Sequence, residues 1–455
     1  MAEGDVELRH VVDIDQTVRL LLNYDERLQN RSKQHPRSIY MVPSIYRDLS
    51  PSSFTPRLVS IGPLHHQDEH LKEFEVQKAT YMHNLFHNVL RPLGSTPEQI
   101  MKACVTKVRN SVDQIRACYI GMKTYPDSKL VKMMVTDACF ILAFIYNLSV
   151  AYSSLGQNVL LYTHIFLDMV LIENQIPFFV LQDIYECTFS KLHPRVPLAE
   201  FIFKIQKSCN IFEGELEMDN SSTSSTHDHI LGFLHKSYQN PDLGSSTVRT
   251  MIKRQSVAEL DRLPKIKGQS VAELDRSGVR FSHKCDAKWP MAMELNYSRF
   301  LCFPLSWSKL TTLKMPVLRI HDHSELFIRN LIVYEQSSGV QACVTSYMYA
   351  LDSLIDTPED VAKMVKSQVL VNYLGSDEEA AGVINNICKE VSIRDFYYQN
   401  EWKVLDDHYK AYWPNIIAGL RRRYFGNPWS IIALVAGIVL FILTVIQTSY
   451  TVKAV

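Results

Sequence analysis

Two adjacent histidines, His65 and His66, with His70 close behind, are the residues of this 455-residue chain that most invite a chemical reading. Imidazoles bind metals and move protons near neutral pH. Adjacent side chains point in different directions, however, and no cysteine or carboxylate stands at a spacing that would complete a zinc site. A structural role, donating to backbone carbonyls in a tight loop, fits the pair better. His321 and His323, in "HDH", could share one strand face, but a loop before the next helix suits them better than a metal. In "LIENQIPFFVL", Glu173, Asn174 and Gln175 stand between apolar runs. A buried carboxylate there could serve as a general acid or base. The alternative is that these side chains end one helix and satisfy backbone groups at a bend before Pro177, which disfavours helix at Ile176. The phosphate-cradling patterns G-x-x-x-x-G-K-[ST] and G-x-G-x-x-G are absent from the chain, as are H-E-x-x-H and G-x-S-x-G. We therefore assign no catalytic, cofactor-binding or metal-ligating residue.

The elements that must position these groups are mostly helical. Val11, Ile14, Val18, Leu21 and Leu28 recur at helical spacing, so residues 5–28 read as an amphipathic helix. A loop-rich segment follows, through "SIYMVPSIYRDLSPSSFTPRLVSIGPLHH". Thr96, Pro97 and Gln99 form a helix start with a capping box, and the same signal returns at Thr357–Asp360 and Ser376–Glu379. Two apolar blocks, 133–150 and 159–181, carry Asp137 in the first and His164, Asp168 and Glu173 in the second. A charge at the centre of a lone membrane span is costly, so both are expected to be buried core helices whose polar groups find partners inside. "NIFEGELEMDNSSTSSTHD" (210–228) reads as an exposed linker, and "SGVRFSHK", "SRFLCFPLS" and "MPVLRI" beyond it have short β character.

The charge is balanced, 48 basic against 48 acidic residues, so no net field recruits nucleic acid. Nine scattered cysteines, none in a C-x-x-C pair, argue against a disulfide framework or a zinc site. The acidic N-terminus has no apolar run and is not read as a cleaved signal peptide. Near the other end, an uncharged stretch from Trp429 extends to Tyr450. It would span roughly 27–33 Å as a helix, about one bilayer core. Trp429 and Tyr450 would lie at the interfaces, with Ile431, Leu434, Val439 and Phe441 in lipid. Arg421, Arg422 and Arg423 precede it, so the positive-inside bias expects a cytosolic body and a single C-terminal anchor, the plasma membrane before an endomembrane. The sequons at Asn30, Asn147, Asn220 and Asn296 are read as unused.

The loop-rich segment, "IYMVPSIYRDLSPSSFTPRLVSIGPLHHQDEHLKEFEVQK", resembles the opening signature of the plant family called domain of unknown function 247. "MMVTDACFIL", "LDMVLIENQIPFFVL", "SVAELDRSGVRF", "LFIRNLIVYEQ", "SYMYALDSLIDTPEDV" and "LRRRYFGNPWSII" follow in the family's order. The motif residues are Tyr40, Pro43, Pro56, Ser60, Gly62, Pro63, His65, His66, Asp137, Glu173, Asn174, Gln175 and Pro177. Met41, Gln67 and Phe74 depart from the family's usual Arg, Gly and Met. The resemblance implies a membrane-associated plant protein with no established enzymatic activity. It also implies, through grass members linked to gametophytic self-incompatibility, a role as a pollen-side determinant.

We thus expect a mainly α-helical globular body with a small β element, plus one C-terminal transmembrane helix. Its parts would be an N-terminal helical region (1–35), a helical first half (36–209), the linker (210–228), a second half with the β element (229–424) and the membrane helix (429–450). The expected function is protein–protein recognition or signalling at a membrane, with lipid and an unidentified protein as partners and no nucleic acid. The alternatives are an enzyme using His65, His66 and Glu173, or a membrane-surface scaffold. The octamer "QSVAELDR" occurs at both 255–262 and 269–276, each copy with an S-x-x-E capping box. Only the second runs on into "SGVRF" as the family motif does, so we read a local duplication in which the second copy carries the fold.

Overall fold

The structure is a computed structural model that describes residues 38–150, 159–208, 210–213, 227–241, 269–284, 289–299, 309–393, 395–410 and 428–453. The predicted N-terminal helix and the first octamer lie outside the described residues. Helices dominate: α1 (Phe74–Asn84), α2 (Pro97–Asn110), α3 (Asp127–Val150), α4 (Val159–Met169), α5 (Phe178–Cys187) and α6 (Leu198–Ser208), then α7 (Ile230–Lys236) and α8 (Val271–Arg276). Further along are α9 (Ser324–Ser338), α10 (Cys343–Leu354), α11 (Pro358–Lys366), α12 (Asp377–Ile387), α13 (Gln399–Lys410) and α14 (Pro428–Lys453), and three shorter helices, Ser44–Arg47, Val112–Ala117 and Phe189–Leu192, are left unnumbered.

Local chemistry sets many of the boundaries. Thr96 accepts from the Gln99 backbone while the Gln99 side chain takes the Thr96 N–H, so α2 starts with both groups satisfied. Ser270 and Glu273 do the same at α8, and at α11 the Asp360 carboxylate takes both the Thr357 N–H at 3.0 Å and the Thr357 hydroxyl at 2.8 Å. At α12, Ser376 caps Glu379, but the Glu379 carboxylate turns to the Gly375 N–H. Helix α3 is apolar nearly all round and buries Leu130, Met134, Ala138, Phe140, Leu142 and Ile145, the pattern of a central helix. The chain breaks between α4 and α5 at the predicted bend, and Pro177 precedes the first residue of α5.

Among the described residues the β structure is three small sheets. Strand β1 (Ile39–Tyr40) pairs in parallel with β2 (Tyr119–Ile120). Strand β5 (Lys309–Met315) lies between β3 (Arg280–His283), parallel to it, and β4 (Glu294–Arg299), antiparallel. Strand β6 (Leu318–Ile320) pairs in parallel with β7 (Leu370–Asn372). Both described ends of the predicted linker are built into the body. Ile211 and Phe212 are buried, Phe212 bridges Leu318, and Glu213 donates its N–H to Val317. At the far end His229 is buried and the Asp228 carbonyl accepts from the Phe178 N–H. One apolar core runs from Ile39 to Leu405 across both predicted halves.

The expected transmembrane helix is corrected: among the described residues no helix is long and apolar enough to cross a membrane. Helix α14 forms over Pro428–Lys453, with Val439 and Phe441 exposed. The side chains of Trp429, Ile431, Leu434 and Tyr450, and the whole of Arg421–Arg423, lie outside the described residues. The single-pass anchor is withdrawn, and with it the membrane localisation and the cytosolic orientation of the body. Lipid contact through this helix loses its basis.

Candidate functional site

The stretch from Thr55 to Gly62 is held mostly by side chains rather than by a sheet. Asp168, on the last turn of α4, accepts three successive backbone N–H groups: Arg57 at 2.9 Å, Leu58 at 2.7 Å and Val59 at 2.8 Å. Burial pushes the Asp168 pKa up, and these three bonds oppose it. Asn174 accepts from Ile61 N–H at 2.7 Å and donates to the carbonyls of Val59 and Asp168. Asp137, on α3, accepts from Gly62 N–H at 2.8 Å. A buried backbone must find partners for its polar groups, and here distant carboxylates and an amide supply them.

Two charged clusters flank this stretch. Lys78 on α1 is fully buried and donates to Asp137 at 2.7 Å, to Glu75 at 2.6 Å and to the Ser60 carbonyl. Burial opposes its charge, but Asp137 and Glu75 outweigh that and hold the ammonium protonated. Glu173 forms the second cluster. One of its oxygens accepts from Val42 N–H at 2.6 Å and from Arg47, the other lies 2.7 Å from His65 Nε2. The other ring nitrogen of His65 lies 2.7 Å from Asp68. Burial favours the neutral ring, yet the bonds to Glu173 and Asp68 prevail and raise the His65 pKa above 6.5. A ring bonded on both sides has no nitrogen free for a substrate.

The remaining motif residues serve the same segment. The Tyr40 hydroxyl donates to Val333, Pro43 precedes the short helix Ser44–Arg47, and the Pro56 carbonyl contacts His70. The Pro63 carbonyl accepts from Tyr125. Gly62 has φ +76°, and a Cβ there would lie 2.5 Å from the Gln175 carbonyl, so any side chain would collide. The Gln175 amide donates to Met169 and Leu171 and accepts from Leu231 N–H.

The structure thus brings His65 and Glu173 together but not His66. The half-buried His66 ring packs edge-on against Tyr125, 6.2 Å between centroids, and burial lowers its pKa. His65 bridges two carboxylates rather than donating to carbonyls, a difference from the expectation. His321 and His323 sit in a turn before α9, as expected, and among the described residues no group of three His, Cys, Asp or Glu could hold a metal. Arg47, Lys78, Asp68, Asn330 and Glu335 were missed. Asn330 and Glu335 each interrupt an apolar helical run, the one signal that marks them. Asn330 accepts from Ile172 N–H and donates to the Ser53 carbonyl. Glu335 accepts from the first N–H groups of α10, Val344 and Thr345, and pairs with His235 at 2.7 Å.

Comparison with known proteins sets the chain among plant relatives. The chain is 25% identical over 426 residues to UPF0481 protein At3g47200 of Arabidopsis thaliana, covering 90% of this chain and 85% of that protein. It is 24% identical over 523 residues to Putative UPF0481 protein At3g02645 of the same plant, covering 94% of each. No solved structure matches. Residues 39–443 match the family described as "Plant protein of unknown function", so the chain belongs to the plant family of domain of unknown function 247.

Proposed function

We propose that the protein acts by recognising another protein, and that the buried polar clusters are the scaffold of its recognition segment. The observation that carries this is the surface above them. Met41, Ile45 and Leu49, four residues apart in sequence, are 43%, 50% and 37% exposed on the segment that Glu173 and Arg47 tie down. Apolar side chains held at a surface by rigid buried bonds favour a docking role. The family resemblance adds the more specific form of the reading, a pollen-side determinant of gametophytic self-incompatibility. A catalytic reading would start from His65 and Glu173, but both side chains are already engaged with Arg47, Asp68 and the Val42 backbone.

Ile45→Asp and Leu49→Asp test it. Each should abolish association with a partner cross-linked to the parent chain in its native tissue, while the thermal midpoint stays within about 2 °C of the parent. Unchanged association in both variants would remove this surface from the reading.

A further inference from the structure

We propose that His83 and His87 form a surface binding site for one divalent transition-metal ion of the copper, nickel or zinc class. The two residues stand four apart, where α1 passes into a π turn over Leu85–Val89, closed by the Leu90 N–H on the Leu85 carbonyl at 2.9 Å. Their rings stack, with centroids 4.3 Å apart and planes 28° from parallel. Both are exposed. Among the described residues neither ring joins a hydrogen bond or ion pair.

Two imidazole nitrogens on one ion, each about 2.0–2.1 Å from it, lie roughly 3.3 Å apart in a tetrahedral arrangement. From rings whose centroids are 4.3 Å apart, side-chain rotation would have to bring one nitrogen of each to that separation. The backbone cost is low, because the turn is already closed and the Asn84 and Asn88 side chains bond across it at 2.6 Å. π turns are rare and recur at functional positions. No third His, Cys, Asp or Glu joins the pair among the described residues, so water completes the coordination and the site stays open on one side. Imidazole donors suit copper, nickel and zinc, and the divalent series predicts copper tightest. A metal here would clip the end of α1 to the π turn that follows it.

The test is calorimetric titration of the full-length protein with Cu²⁺ and with Zn²⁺, alongside His83→Ala and His87→Ala. Exposed His193→Ala serves as the control for scattered histidines. The parent should bind one equivalent more than either variant, or bind its tightest equivalent about tenfold or more strongly, with His193→Ala matching the parent. Electron paramagnetic resonance of the first copper equivalent should show two imidazole nitrogens in the parent and fewer in each variant. Variants that titrate like the parent, with unchanged nitrogen coupling, would overturn the site.

Discussion

At the scale of single residues, His65 shows how one side chain's chemistry changes with what surrounds it. In the sequence it is half of a histidine pair in a loop, and donation to carbonyls is the natural expectation. In the structure its partner Glu173 is 108 positions away, and a contact of that range leaves no local trace. The same holds for Asp168 and the N–H groups of Arg57–Val59, about as far apart. That Glu173, Asn174 and Gln175 satisfy backbone groups near a bend was legible, because Pro177 marks the bend; which backbone they satisfy was not. The raised His65 pKa carries a pH signature. A base whose folded pKa is raised contributes its full stabilisation below its unfolded value, near 6.5, and loses it as pH rises through the folded value. In denaturant titrations, the stability difference between the parent and His65→Gln should be largest below about pH 6 and shrink as the pH rises above it. A difference that grows with pH would mean that the ring is held neutral.

At the scale of elements, local signals were read well and long-range ones poorly. Capping boxes act within four residues, so the starts of α2, α8 and α11 were visible in the letters. The buried helix α3 followed from an apolar run interrupted by a charge that needs an internal partner, whereas α4 is buried only towards its end, with Val159 and Leu160 exposed. The π turn after α1 and the parallel pairing of β6 with β7 depend on packing and were not visible. The duplicated octamer separates the two kinds of information cleanly, since its copies share every local signal. The second copy is docked: Val271 and Leu274 are buried, and the Ala272 N–H donates to the buried Asp360 at 2.7 Å. Leu274→Ala should therefore cost about 2–5 kcal/mol in unfolding experiments, while Leu260→Ala, the same change in the first copy, should cost less than about 0.5 kcal/mol. Equal losses from both would show that the first copy also carries core packing.

At the scale of the whole molecule, the buried carboxylates and amides join regions that the sequence presents as separate. Asn330 on α9 links Ser53 to Ile172, Tyr40 reaches Val333, and Gln175 accepts from Leu231. The segment 210–228 looked like a linker because its composition is polar, but its described ends are pinned by Phe212 and by the Asp228 carbonyl. The membrane span was over-read from composition, and among the described residues it is not supported. The central claim is that the motif carboxylates are scaffold for a recognition surface. Residues retained for catalysis commonly reduce stability, so replacing them leaves it unchanged or raises it. A carboxylate that holds a buried ion pair and a backbone N–H behaves in the opposite way. The most direct measurement is the unfolding free energy of Glu173→Gln, with hydrogen exchange followed at Val42. We predict a loss of about 3 kcal/mol, in one cooperative transition, with faster exchange at Val42. Stability equal to or above that of the parent would contradict the scaffold reading and return Glu173 to chemistry.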